Sequence, residues 1–422
     1  MIEGFDWTIA SDADRRSALA RPRARDDRAM ADAVRSIVDD VRKRGWEGLV
    51  ARASAIDGVA PERIEVAPFA AAARRSMSKE ALDAIALSAA NIRAFHEATR
   101  PSDVTLETMP GLTVAKRWTA LDHVGLYVPG GKAALFSTLL MLAIPAAAAG
   151  VDRMTVVTPP NPAGGLDPAL AVAAEICGIS EIWTVGGAQA IAALAFGAGQ
   201  IDRADLICGP GNKWVATAKA LVASLPNGPG IDLPAGPSEL MVIADDSADP
   251  AAVAADLLSQ AEHDLDAQVI LVTPSIELID RVSGELDRQS QAIGGVFAGA
   301  RAIRCATMTE AVAIANAYAP EHLSLATDDP AAILCSIRNA GAVFVGHFAA
   351  ETFGDYLAGS SHVLPTDGSA RFTGGVSTLT FMKAITVQTV TRDAARRLAA
   401  PAAALARIEG LEAHARAAEA RA

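Results

Sequence analysis

Apolar and polar positions alternate with two different periods along this chain. From residue 124 onward, short runs rich in valine, isoleucine and leucine are separated by longer segments with helical spacing. The first series predicts strands at 124–128, 154–158, 181–185 and 204–208 and helices at 133–149, 167–176, 188–196 and 213–224. A second series predicts strands at 240–244, 268–272 and 342–346 and helices at 250–263, 276–288 and 309–317.

Strands that alternate with helices of this length form parallel sheets with helices on both faces. Because the alternation occurs in two series, we expect an α/β fold with two Rossmann-like parallel-sheet domains. Residues 9–100 are instead charged and alanine-rich with helical spacing, and so is the tail from about 392 to 421. We interpret these regions as helical extensions, and the arginine-rich start as a solvated arm or a contact for a dimer partner.

Composition narrows the classes of function. The 422 residues, 51% of them apolar, exceed what one simple core needs, and a net charge of −12 makes nucleic acid an unexpected partner. The apolar run at 133–151 is interrupted by Ser137, Thr138 and Pro145, which favours a buried helix over a membrane span. The four cysteines show no CxxC spacing and the N-terminus is unlike a signal peptide, so we expect a cytoplasmic protein with reduced thiols.

Three predicted strands end in glycine-rich turns that open a helix, and these strands end at 128, 185 and 208. Free backbone N–H groups at such turns bind anionic ligands in α/β sheets. The dinucleotide fingerprint G-x-G-x-x-G is absent, so any one of the three could be a plain turn. Taken together they favour a shared nucleotide cleft, in which Tyr127, Gln189 and Asn212 could contact ribose or base.

The pair Glu321-His322 follows Pro320 at a predicted helix boundary. Histidine titrates near neutral pH and can take a proton from an alcohol, while an adjacent carboxylate can activate a water molecule. A chance pair in a loop is the alternative interpretation. A thiol nucleophile is not expected, because Cys305 and Cys335 lie in apolar segments.

Gln260 and His263 are three residues apart, so on a helix they share one face. Together with Asp355 and His414 they offer nitrogen and oxygen ligands of the kind that suits zinc. The four residues are scattered over more than a third of the chain, and an ordinary polar helix end or a solvated histidine would look the same.

Eight short motifs stand out along the chain. In order they occupy residues 124–131 (VGLYVPGG), 186–191 (GGAQAI), 209–212 (GPGN), 235–239 (AGPSE), 259–263 (SQAEH), 319–323 (APEHL), 354–356 (GDY) and 361–365 (SHVLP). These motifs are similar to those of the histidinol dehydrogenase family. The resemblance extends from the helical N-terminal region to Glu409 and His414. It implies a homodimeric zinc enzyme that oxidises L-histidinol to L-histidine through histidinaldehyde with two NAD molecules, the last step of histidine biosynthesis.

The resemblance also implies a role for each candidate residue. The implied zinc ligands are Gln260, His263, Asp355 and His414, and the implied catalytic pair is Glu321 and His322. The implied substrate contacts are Ser238, His362 and Glu409, together with the zinc ligands and His322. The implied NAD contacts are Tyr127, Gln189 and Asn212. By the same resemblance, Glu409 and His414 reach the site of the partner subunit, so that the active sites are shared in an intertwined homodimer.

Pattern and resemblance together divide the chain into four parts. These are a helical arm (1–22), a first α/β domain with the metal and catalytic residues (23–126 plus 239–376), a second with the NAD cleft (127–238) and a helical dimerisation segment (377–422).

Departures from the family pattern, such as Trp46 and Leu135-Phe136, leave open a same-family zinc and NAD dehydrogenase for another small alcohol, such as a sulfonated propanediol. A non-catalytic zinc-binding protein is the alternative of a different class, and the intact Glu321-His322 pair argues against it.

Overall fold

The computed structural model describes residues 2–21, 28–130, 135–233 and 236–422. Its strands are β1 (Ile2–Asp6), β2 (Glu62–Glu65), β3 (Val104–Met109), β4 (Leu112–Ala120), β5 (His123–Tyr127), β6 (Arg153–Thr158), β7 (Glu181–Thr184), β8 (Leu206–Cys208), β9 (Gly230–Ile231), β10 (Glu239–Ala244), β11 (Gln268–Thr273), β12 (Ala300–Arg304), β13 (His322–Ala326), β14 (Ala342–Val345) and β15 (Met382–Val390). Its α-helices are α1 (Asp12–Ala18), α2 (Arg28–Arg44), α3 (Trp46–Ile56), α4 (Val66–Ser76), α5 (Lys79–Ala98), α6 (Phe136–Ala149), α7 (Pro168–Ile176), α8 (Gly187–Phe196), α9 (Lys213–Ser224), α10 (Pro250–Ala261), α11 (Ile276–Ile293), α12 (Met308–Tyr318), α13 (Pro330–Leu334), α14 (Glu351–Tyr356), α15 (Arg392–Ile408) and α16 (Glu412–Glu419).

The first sheet has six strands in the order β1-β12-β11-β10-β13-β14, and all neighbouring strands run parallel. Every residue of its central strands β10 and β13 is buried. Strands buried on both faces need helices on both sides of the sheet. Here α10 and α11 cover one face, while α12 packs against the other.

The second sheet has the order β2-β7-β6-β5-β8-β9, in which β2 runs antiparallel to β7 and the other pairs are parallel. Helices α4 to α7 cover one face, and α2, α3, α8 and α9 cover the other. Helix α6 is buried almost all round, which confirms that the long apolar run forms a core helix. Residues 133 and 134 of that predicted helix lie outside the described residues. Across the described ranges, no helix has the length and apolar character that crossing a membrane requires.

A third, antiparallel sheet has the order β15-β4-β3. It is largely exposed, and in β15 every residue after Met382 faces solvent. The chain then turns into α15 and α16, which pack against each other. Leu405 and Ile408 on α15 remain 66% and 82% exposed in the single chain. The C-terminal region therefore carries apolar surface that one copy of the chain does not cover.

Two parallel-sheet α/β domains are confirmed, but the ends of the chain differ from the sequence-based division. The first 22 residues include β1, which pairs with β12, as well as a helix. This strand is short and half polar, so its pairing with β12 and the packing of Ile2 and Phe5 against the core stabilise it as a strand. The segment 377–422 likewise begins with β15 rather than with a helix. The predicted boundary between 22 and 23 lies outside the described residues.

Most of the segment 28–126 belongs with the second sheet and not, as the sequence suggested, with the first. Strand β2 pairs with β7, α2 packs on α8 and α9, and α4 packs on α7. Strand β5 lies inside the second sheet, so the proposed edge between 126 and 127 would cut a strand. Amphipathic spacing shows that a helix has an apolar face but does not show which sheet covers it.

Candidate active site

The site lies where the two parallel sheets face each other. The second sheet contributes the carboxyl ends of β5, β7 and β8, where an α/β sheet binds ligands. The first sheet contributes the amino ends of β10 and β13, which are neighbours in register with Leu240 opposite His322. This pairing places the main chain of Glu239 beside the Glu321-His322 pair.

His322 is held in one tautomer by the neighbouring strand. Its Nδ1 lies 3.1 Å from the carbonyl oxygen of Glu239, and because a carbonyl only accepts, Nδ1 carries the proton. Its Nε2 is buried and has no hydrogen-bond partner among the described residues. Burial lowers the pKa of His322 to about 4, against a partly compensating influence of Asp355. At neutral pH the ring is therefore uncharged, and Nε2 offers a free lone pair.

Two buried carboxyl groups flank the same imidazole. Glu321 Oε2 is 3.7 Å and Glu351 Oε1 is 3.5 Å from His322 Nδ1. Glu321 Oε2 also accepts the backbone N–H of Glu239 at 2.9 Å. Burial raises the pKa of the Glu321 and Glu351 carboxyl groups well above the usual value for glutamate. Each of them, once ionised, is therefore a stronger base than a carboxylate in water. Glu351 was not singled out from the sequence, because an isolated Glu in a short helix gives no signal.

Gln260 and His263 meet at the end of α10. Gln260 is fully buried, and its Oε1 has no hydrogen-bond partner among the described residues. Its Nε2 is 3.4 Å from His263 Nδ1, which is 3.5 Å from Ser238 Oγ. A buried amide oxygen without a donor is costly unless a ligand satisfies it. The environment of Gln260 therefore fits a metal ion or a polar ligand.

Asp355 connects the two histidines on the other side of the cluster. Its Oδ1 is 3.8 Å from His322 Nε2, and its backbone oxygen accepts the Nδ1 proton of His362 at 3.1 Å. His362 Nε2 in turn lies 3.2 Å from the hydroxyl of Thr138 on α6. Burial lowers the pKa of His362, Asp355 opposes that change, and the charge of His263 adds to it. The structure thus brings Ser238, Gln260, His263, Glu321, His322, Asp355 and His362 into one region.

Glu409 and His414 are not part of this region in the single chain. Glu409 lies at the C-terminal end of α15 and His414 in the first turn of α16, and both are exposed. Within the described residues of one chain, no three His, Cys, Asp or Glu side chains form a set that could hold a metal ion.

A cavity of about 670 Å³ lies at the carboxyl ends of the second sheet, and Tyr127, Gln189 and Asn212 all line it. The Tyr127 hydroxyl accepts the N–H of Gly187 at 3.4 Å, and Asn212 Oδ1 caps the start of α9. The Gln189 Nε2 donates to Asp57 at 3.0 Å. Asp57 was missed in the sequence because it lies far from the glycine-rich turns along the chain.

A smaller cavity of about 150 Å³ lies next to the catalytic pair. It is lined by the turn at 209–211 and by Ser238, Glu321 and His362. The turn at Gly211 lines the large cavity as well. One loop of the second sheet is therefore shared by the large cavity and the surroundings of the catalytic histidine.

The fold and this site are those of a nucleotide-dependent α/β oxidoreductase, with a neutral buried base beside a glycine-lined cleft. The chain belongs to the histidinol dehydrogenase family, whose members are NAD-dependent, and the family match covers residues 20–422. This confirms the family that the eight motifs suggested.

The relatives cover most or all of the chain. Histidinol dehydrogenase of Synechococcus sp. is 45% identical over 392 residues and 90% of either chain. That of Idiomarina loihiensis is 43% identical over 97% of this chain and 95% of its own. The solved structure of histidinol dehydrogenase from Elizabethkingia anophelis is 36% identical, covers 100% of this chain and 98% of that chain, and has a TM-score of 0.91. The common fold therefore includes both parallel-sheet domains and both terminal regions.

Proposed function

We propose that this protein oxidises L-histidinol to L-histidine through histidinaldehyde, a four-electron reaction that uses two molecules of NAD and completes histidine biosynthesis. The observation that carries the proposal is the unprotonated Nε2 of His322, which has no hydrogen-bond partner among the described residues. It lies in a buried cluster beside the small cavity, which shares Gly211 with the large cavity. Family membership supports the choice of alcohol. The proposed location is the cytoplasm, where free cysteines such as Cys208 stay reduced.

The residues of the chain have distinct tasks in this reaction. His322 Nε2 takes the hydroxyl proton as hydride leaves the alcohol carbon for NAD. In the second half, the Glu321 carboxylate accepts a proton from the water that adds to the aldehyde, while protonated His322 returns its proton to the aldehyde oxygen. His322 Nε2, again unprotonated, then takes the hydroxyl proton of the hydrate as the second hydride leaves. Because both residues are buried, the aldehyde is kept from bulk water between the two steps.

The proposed metal is zinc, held by Gln260, His263 and Asp355 of one subunit and by His414 of the partner subunit. When bound, zinc supplies a Lewis acid that orients and polarises nitrogen and oxygen atoms of the substrate. The Oε1 of Gln260 has no hydrogen-bond partner in the described part of the chain, which supports this assignment because a cation would satisfy it.

The proposed substrate contacts are Ser238, His362 and Glu409 together with the zinc ligands and His322. Ser238 and His362 lie in the small cavity beside Glu321. We propose that Glu409 and His414 reach this site from the partner subunit of a homodimer. The exposed apolar side chains of Leu405 and Ile408 next to them support burial of this region against a second copy.

The proposed NAD contacts are Tyr127, Gln189 and Asn212, which share the large cavity. The cavity has the size of a small-molecule cleft and lies at the ends of strands that open into glycine-rich turns. Gln189 Oε1 is buried without a partner among the described residues, so it can accept a hydrogen bond from a ribose hydroxyl.

The experiment that tests the function is the amount of NADH formed per L-histidinol by purified, zinc-loaded protein at mildly alkaline pH. We expect two NADH per substrate and loss of the reaction on chelation. No NADH from histidinol in a folded, zinc-bearing dimer would overturn the proposal and direct the search to other small alcohols. In Glu321→Gln we expect the second oxidation to slow more than the first, and equal slowing would contradict the role given to Glu321.

A further inference from the structure

Glu239 contacts both members of the catalytic pair, and it does so through its main chain. Its backbone N–H donates to Glu321 Oε2 at 2.9 Å, and its carbonyl accepts the Nδ1 proton of His322 at 3.1 Å. One peptide segment therefore orients the carboxylate and also selects the tautomer of the imidazole. A small displacement of Glu239 would move both groups at once.

The Glu239 side chain is held by Arg21, which lies near the N-terminus of the chain. Arg21 Nε and one of its terminal nitrogens donate to the two carboxylate oxygens at 2.5 and 2.7 Å. The Glu239 side chain is 1% exposed and that of Arg21 is 16% exposed, so the pair is nearly removed from water. A two-pronged bond of this kind fixes orientation as well as distance.

The same guanidinium also contacts the segment that leads into the catalytic pair. It donates to the carbonyl oxygens of Tyr318 and Ala319 at 3.0 and 3.2 Å, and it lies 3.9 Å above the ring of Tyr318. Ala319 has a φ of 57°, a left-handed conformation that non-glycine residues avoid. Arg21 thus ties the start of β10 to the residues just before Glu321 and His322.

We propose that Arg21 and Glu239 are positioning residues for the reaction. Arg21, at the end of the N-terminal segment, holds the Glu239 main chain where it orients Glu321 and His322. The inference rests on the proposed function, but the contacts themselves do not depend on which alcohol is oxidised.

The kinetic test compares Arg21→Met with Arg15→Met. Arg15 is the matched control, because it also donates to a carbonyl, that of Trp7, and stacks on an aromatic ring, but it does not contact Glu239. For Arg21→Met we expect kcat with histidinol to fall roughly 10- to 100-fold, with KM for NAD and bound zinc unchanged. Arg21→Lys keeps the charge but loses the two-pronged hydrogen bond, so its kcat should lie between those of the wild type and Arg21→Met. Arg15→Met should keep the wild-type kcat.

A second readout does not require any substrate. Hydrogen exchange followed by mass spectrometry should show faster exchange of peptides spanning 236–244 and 318–326 in Arg21→Met and Arg21→Lys. Peptides of β11 should exchange as in the wild type. If Arg21→Met does not fold, Arg21→Lys decides with the same readouts.

Unchanged exchange at 236–244, or a kcat within about twofold of the wild type in a folded variant, would overturn the positioning role. A wild-type protein that makes no NADH from histidinol would reject the proposed function instead. The exchange data would then still decide whether Arg21 holds Glu239 in place.

Discussion

His96 and His322 are two buried histidines of one chain that differ in their hydrogen bonds. His322 gives one ring nitrogen to the carbonyl of Glu239, whereas His96 has no hydrogen-bond partner for either ring nitrogen among the described residues. His96 is fully buried on α5. Burial lowers its pKa to about 4. The ring of His96 behaves as an apolar group that becomes unfavourable when it is protonated.

This makes stability depend on pH in a predictable direction. The unfolded chain protonates His96 near pH 6.5, well before the folded protein does, so the free energy of unfolding decreases as the pH falls from about 6.5 to about 4, by up to about 3 kcal/mol. In His96→Leu we expect this part of the dependence to vanish. Urea unfolding at pH 7.5 and at pH 5 measures this pH dependence of the free energy of unfolding. The control variant is His347→Gln, which changes an exposed histidine. Equal pH dependence in wild type and His96→Leu would contradict the prediction.

The turn that joins β8 to α9 depends on a buried ion pair. Asp232 accepts the N–H groups of Gly209 and Leu233 at 2.7 Å each, and Lys219 donates to the Gly209 carbonyl at 2.8 Å and to Asp232. The pair is 2% and 1% exposed. Gly209 has a φ of 129°, and a Cβ there would lie 2.0 Å from the carbonyl oxygen of Tyr127. Both charges and the glycine are therefore needed to hold this turn between the cavities.

Loss of the lysine should be severe because it leaves a buried carboxylate without its counter-charge. For Lys219→Met we expect the free energy of unfolding to fall by about 3–5 kcal/mol. The control is Lys213→Met on the same helix, whose pair with Asp266 is 63% and 45% exposed and should contribute less than about 1 kcal/mol. Urea unfolding compares the two variants. Equal losses would show that burial of the pair is unimportant.

The helices and strands of this fold were predictable from the sequence to different degrees. The strands and helices from β5 to α9 follow a clear alternation, and their glycine-rich turns marked the large cavity in advance. Strands β1 and β2 were missed because each is short and polar on one side, so that partners distant in sequence stabilise them. Strand β13 was missed because Glu321 and His322 were placed at a helix boundary after Pro320.

At the scale of the whole molecule, sequence motifs indicated most residues of the catalytic cluster but not what holds them. Gln260, His263 and His322 lie in short motifs that can be read from the chain. The contact between Arg21 and Glu239 joins residues 218 positions apart, and neither residue belongs to a local pattern that predicts the other. Contacts of this separation follow from how the sheets are arranged, which spacing along the chain does not encode.

The arrangement of the molecule leaves Glu409 and His414 exposed and away from the cluster, which a homodimer with shared sites would resolve. If each site combines the cluster of one subunit with His414 of the partner subunit, two inactive variants can complement each other. Mixed dimers of His322→Asn and His414→Asn would contain one intact site, so random mixing should restore about a quarter of the wild-type activity.

A mixture of His322→Asn and Asp355→Asn is the matched control for this exchange. Both residues lie in the cluster of the same subunit, so each site of a mixed dimer lacks one of them and activity should stay at background. Subunits are mixed after reversible dissociation, and NADH formation from histidinol is measured. Recovery in both mixtures, or in neither, would contradict the shared site. Recovery in the first alone requires that residues from two copies of the chain build each active site, because no single subunit in that mixture carries both histidines.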